Sequence, residues 1–150
     1  MRIYNSITTE EAETLRRIYA ISNNHRLTNL LMTITGIAEF SALMIVSEIA
    51  DITRFKTPKQ LVMYAGLCPG IYQTGETIRD VANNAINKHL KWIVTECAGR
   101  ASTLKGARFQ EHFAKINKHK GYQVARRSTA RKMLIIIWHM LTKKEVYHTS

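Results

Sequence analysis

Two cysteines, two prolines and eleven acidic residues are all that 150 positions hold of these types, and each scarcity excludes something. Cys68 and Cys97 alone cannot staple a disulfide-dependent miniprotein, nor is that needed, because a chain of this length buries roughly two-thirds of its unfolded surface on folding. Both are expected as free thiols in a cytoplasmic protein. With only 7 glycines and 2 prolines among 45% hydrophobic residues, collagen-like, low-complexity and wholly disordered classes fall away. Long apolar runs are missing as well. The longest, Met133 to Met140, is flanked by Arg131, Lys132, Lys143 and Lys144 and falls short of the roughly 18 residues of a membrane span. The first residues, with Arg2, Asn5, Thr8 and three glutamates by position 13, lack the apolar centre of a signal peptide.

What is present is positive charge, gathered in one half. The formal net charge is +11. Residues 1–75 carry 7 Lys or Arg against 6 Asp or Glu, whereas residues 76–150 carry 15 against 5. From Lys105 to Lys132 there are nine basic residues and one acid, Glu111. Such a field attracts phosphate polyanions and releases their counterions on binding, so nucleic acid leads as the partner class. On charge alone an anionic membrane surface and a merely solvated face fit too.

Hydrophobic spacing predicts a mainly α-helical, small multi-helix domain. Thr8-Thr9-Glu10-Glu11 is a capping-box pattern opening a helix over about residues 9–23, whose apolar stripe of Leu15, Ile18 and Tyr19 calls for a partner. Leu27 to Thr33 starts a second helix, and Phe40 to Ile49 a third. Thr57-Pro58 marks the start of a helix that stops at Gly66. Residues 67–77, with Pro69, Gly70 and Gly75, read as one irregular loop or short hairpin. Asn83 or Asn84 can cap a helix running through Ile86, Leu90, Ile93, Val94 and Cys97. Leu104 to Ile116 and Tyr122 to Leu141 supply two more, with Gly121 between them.

Few residues point to chemistry. Ile34-Thr35-Gly36-Ile37-Ala38, between two short helices, has the form of a helix-hairpin-helix element, in which a glycine lets backbone approach a phosphate. A helix corner that only packs fits the same residues. Six histidines fall at no zinc-site spacing. Trp92 and Trp138 lie on apolar helical stripes and read as core anchors, as do Met32, Met44, Met63, Met133 and Met140. Tyr72-Gln73-Thr74-Gly75-Glu76 puts a hydroxyl in a Gly-flanked loop leading into the basic half. A hydroxyl beside bound phosphodiester can attack phosphorus where basic neighbours offset the charge, though threonine beside glycine is also a common turn residue.

The order of motifs resembles a known family. Leu31-Met32-Thr33-Ile34-Thr35-Gly36-Ile37 comes first, then Glu48-Ile49-Ala50-Asp51-Ile52 with Arg54-Phe55. Gln60-Leu61 and Tyr64-Ala65-Gly66-Leu67-Cys68-Pro69 follow, and then Gln73-Thr74-Gly75 and Ala130-Arg131-Lys132-Met133 through Trp138. Together they resemble the C-terminal domain of bridge-RNA-guided, DEDD-type insertion-sequence transposases, over about residues 27–147. The resemblance implies a linker remnant over residues 1–25 and a transposase C-terminal domain over 26–150. In that family a RuvC-like half, not found in this sequence, supplies carboxylates for metal ions, so no cofactor is expected in this chain and Mg only with the nuclease half. Thr74 stands at the family's serine nucleophile, and its methyl group crowds the oxygen. Thr35 and Ala38 replace the usual proline and second glycine of the hairpin. These departures imply a truncated or degenerate copy, inactive alone. Contacts to DNA or guide RNA are expected from Gly36, Gly75, Lys88, Lys91, Lys118, Lys120, Arg126 and Arg127. Its protein partner is expected to be a second copy or an intact transposase, with no membrane involved. The competing expectations are a non-catalytic nucleic-acid-binding module and an inert remnant.

Overall fold

The computed structural model describes residues 25–69, 86–105 and 108–147. Among them are six α-helices and no strand, so the mainly α-helical expectation holds. They are α1 (His25–Met32), α2 (Glu39–Ile49), α3 (Pro58–Tyr64), α4 (Lys88–Thr103), α5 (Arg108–Lys120) and α6 (Tyr122–Lys143), with a 3-10 turn at Ile52–Arg54. The expected helix at 9–23, with Leu15, Ile18 and Tyr19, lies outside the described residues. So do most of the loop, Thr74 and Gly75 included.

The long helix α6 is the spine. Ala125, Thr129, Ala130, Met133, Leu134, Ile137 and Leu141 are buried along it, spaced three or four apart, so that one stripe faces inward. Against it pack α4, α5, α3 and α1, while α2 closes the far side on α1 and α4. Ala98 and Ala101 on α4 and Ala125 and Ala130 on α6 are all fully buried.

Local chemistry explains the boundaries. Thr57 caps α3 by accepting the Gln60 N–H, with Pro58 in the first turn. At its other end Gly66 takes φ +65°, as the expected stop requires. Asp51 caps the 3-10 turn through the Thr53 N–H at 2.9 Å and the Thr53 hydroxyl at 2.7 Å. Those hydrogen bonds, with a smaller contribution from Arg54, hold its exposed carboxyl below the usual range.

Several expectations need correction. The N-cap of α4 is Asn87 rather than Asn83 or Asn84, because its side chain is the one that accepts the Leu90 N–H, at 2.8 Å. Leu104 does not open a helix; it is the C-cap of α4, and α5 starts at Arg108. Trp92 is no core anchor: it is 54% exposed, because the inward stripe of α4 runs through Leu90, Ile93, Val94 and Cys97. Met63 and Met32 are likewise exposed, whereas Met133 and Met140 are buried as expected. Trp138 is half-buried, and its indole N–H donates to the Phe55 carbonyl at 2.8 Å.

Candidate nucleic-acid interface

The segment Leu67-Cys68-Pro69 leaves α3 and runs toward α5 and α6. Between these three elements lies a groove of about 540 Å3. Its cations come from both helices: Lys115 and Lys120 from α5, Arg127 and Arg131 from α6. Among the described residues no acidic side chain lines it. Its walls are Leu67, Pro69, Ile116 and Val124. The residues of α5 that face it are His112, Lys115, Ile116, His119 and Lys120, and those of α6 are Val124, Arg127, Ser128 and Arg131. Each set follows the i, i+3, i+4, i+7 repeat of one helical face, which α5 extends to i+8.

At the side of this groove His112 Nε2 and the Ser128 hydroxyl lie 3.1 Å apart. Partial burial is the first cause holding the imidazole below its ordinary range, and the cations Lys132, Arg131 and Lys115 push the same way. The hydrogen bond to Ser128 opposes them more weakly. A neutral histidine beside a cluster of fixed cations is the result.

Asn87 is held by a polar clamp. Asn87 donates its backbone N–H to the Tyr64 carbonyl at 2.8 Å. Its side-chain amide donates to Glu48 Oε2 at 2.7 Å and to the Tyr64 hydroxyl at 3.0 Å. Ile86 fills the space over Gly66, where an added Cβ would come within 2.6 Å of it. Tyr64 is itself braced. Its ring sits 5.2 Å from that of Phe55, and the Arg54 guanidinium lies over both rings, 5.3 Å from Phe55 and 5.5 Å from Tyr64. The Glu48, Arg54-Phe55 and Tyr64 motifs of the sequence therefore converge around Asn87.

The predicted contact residues separate into groups. Lys120 and Arg127 come together in the groove; Lys118, exposed on the last turn of α5, does not line it. Lys88 and Lys91 lie in the first turn of α4, outside the groove. Arg126 is engaged inside the protein: it pairs with Glu96 at 2.6 Å and donates through Nε to the Thr95 carbonyl at 3.4 Å, joining α6 to α4. Gly36 has φ +93°, and a Cβ there would meet Ala101 Cβ and the Cys97 carbonyl, each at 2.8 Å. That glycine lets the α1–α2 turn rest on the backbone of α4, while Ile37, Ala38 and Arg100 border a second, shallower recess beside it.

Sequence reasoning did not single out His112, Lys115, Ser128, Arg131 or Asn87. The first four were legible as helical faces, had each basic helix been read by the side its cations occupy. The Asn87 clamp joins residues 39 and 23 positions apart in sequence, and no local signal announces it.

A metal site has little to build on. No group of three or more His, Cys, Asp or Glu that could hold a metal occurs among the described residues. The groove's cations would repel one, so these residues do not fit a metal ion. No helix among the described residues is long and apolar enough to cross a membrane.

The described residues form a helical domain with a cationic groove beside residues 67–69, and the comparisons give its class. The chain belongs to the Transposase IS116/IS110/IS902 family, whose pattern it matches over residues 28–114. It is 35% identical over 69 residues to y4qE of Sinorhizobium fredii (strain NBRC 101917 / NGR234), a protein bearing the name of a transposase. That alignment takes in 45% of this chain and 18% of the relative.

Proposed function

We propose that this chain binds nucleic acid, transposon DNA or a guide RNA, in insertion-sequence transposition, and that the groove between α5, α6 and residues 67–69 is its principal contact. One observation carries the reading: four cations from two helices converge on residues 67–69, with no acid among the described residues that line the groove. Family membership supports the transposition context. Lys88, Lys91 and Lys118 extend the contact along neighbouring surfaces.

Thr74 stands at the position of the nucleophile in the resembled family. Attack by its hydroxyl on a phosphodiester would need charge neutralisation and a proton acceptor. Both, like the metal-binding carboxylates of the resembled family's nuclease half, would have to be brought to it. A non-catalytic binding module is the second reading, favoured by the absence of a carboxylate cluster among the described residues. A second copy of the chain, or an intact transposase, is the expected protein partner in both.

The test is a salt titration. Neutralising about four phosphates gives a slope of log K against log salt near about −3.6 on duplex DNA and about −2.8 on a single strand. No complex at low salt would assign the charge to a solvated face and overturn the proposal.

A further inference from the structure

The groove has a feature that phosphate binding alone does not require, an apolar interior. Leu67, Pro69, Ile116 and Val124 form its walls, and the imidazoles of His112 and His119 add flat, stackable faces. A duplex presents phosphates and sugars outward and keeps its bases stacked, so it can touch the cationic edge but has nothing to place between the walls. An unpaired nucleotide has both parts. Its phosphate meets Lys120, Arg127 and Arg131 while its base removes apolar wall from water and stacks on imidazole. At about 540 Å3 the groove lies within the roughly 300–1,000 Å3 range of small-ligand sites.

We propose that this groove is a pocket for one unpaired deoxynucleotide of a single DNA strand, a specificity that rests on the nucleic-acid reading above. Deoxyribose suits it better than ribose where the sugar lies against Leu67 or Val124: His112 and Ser128 already pair with each other, and a 2′-hydroxyl held against those apolar side chains would lack a partner. Occupancy places the nucleotide against Cys68.

Cys68 makes the pocket readable. The protein has two cysteines, and Cys97 is fully buried, with burial pushing its thiol up, so that it stays protonated and shielded. Cys68 is half-buried in the groove wall and is the thiol expected to react with a maleimide. The experiment follows Cys68 labelling by mass spectrometry in the full chain, with single-stranded DNA, duplex DNA and single-stranded RNA of one length and sequence. Single-stranded DNA is expected to slow labelling about tenfold or more, duplex less than twofold. Val124→Asn, at an exposed position, removes apolar wall without adding charge, and should weaken single-stranded DNA binding by about tenfold and duplex binding by less than twofold. Equal protection by duplex, or equal loss on both ligands in Val124→Asn, overturns the pocket while leaving nucleic-acid binding intact. Stronger protection by RNA overturns the assignment to DNA. Binding of none of the three overturns both proposals.

Discussion

Arg126 and Arg127 are neighbours in sequence and opposites in role, because one residue along a helix turns the side chain by about 100°. Arg126 points to α4 and joins Glu96 and the Thr95 carbonyl; Arg127 is exposed and lines the groove. The ion pair is partly solvated, so its worth is small. Arg126→Ala should lower stability by about 0.5–1 kcal/mol, including lost packing of the stem, and leave the salt slope unchanged. Arg127→Ala should do the reverse, with unfolding unaltered and the duplex slope reduced by about one unit. Denaturation and salt titration of the two variants check both halves.

His112 belongs to the same scale. Its imidazole titrates below the ordinary 6.5 in the folded chain. The unfolded state therefore binds more protons as pH falls below about 6.5, and the folded state loses stability there, until its own lowered pKa is passed. Ser128, Arg131 and Lys132 on α6, Lys115 on its own helix and Cys68 across the groove are the groups around it. A bound phosphate reverses the sign of the local field. Binding should then take up a proton and tighten as pH falls toward the ordinary histidine range. The increase should be smaller in His112→Asn, measured by fluorescence anisotropy at fixed salt; an identical pH profile would remove His112 from the interface.

At the scale of elements, the α1–α2 turn and the end of α3 are positioned by glycines doing different things. Gly36 combines φ +93° with contact against the backbone of α4, so Gly36→Ala meets both backbone strain and a steric conflict with Ala101. A loss of about 2–4 kcal/mol is expected, seen as a lower midpoint in urea with little change in its slope. Gly66 meets a side chain, Ile86, rather than backbone. The turn at Gly36 is thus explained by packing. Whether it also contacts phosphate is checked separately by Arg100→Ala, which removes the nearest cation of the neighbouring recess and should reduce the salt slope only if that recess is used.

For the whole molecule the prediction concerns chemistry. The chain collects cations at the groove and shows no metal-binding cluster among its described residues. Incubated with supercoiled DNA and magnesium or manganese, it should give neither nicking nor a covalent adduct. An adduct in the wild type that disappears in Thr74→Ala would establish Thr74 as a nucleophile independent of any nuclease half. An adduct appearing only in Thr74→Ser would show that the loop keeps its geometry and that the threonine methyl is what blocks attack.

Sequence alone determined the helical class, the caps at Thr57 and Gly66 and the basic bias of the second half, since each depends on residues within one turn or on composition. The family too was legible in the order of short motifs. Tertiary structure decided which cations act together. Arg126 and Arg127, equal as entries in a charge count, were separated by the packing of α6 on α4. Lys115 and Arg131, never singled out, were brought to one groove by the pairing of α5 with α6. Trp92 was misread because a periodic pattern tells which residues share a face, whereas which face is covered depends on where the other helices lie. Asn87 is the clearest case: its value lies in three partners, Glu48, Tyr64 and Leu90, two of them distant in sequence, and only the closed fold brings them within hydrogen-bonding distance.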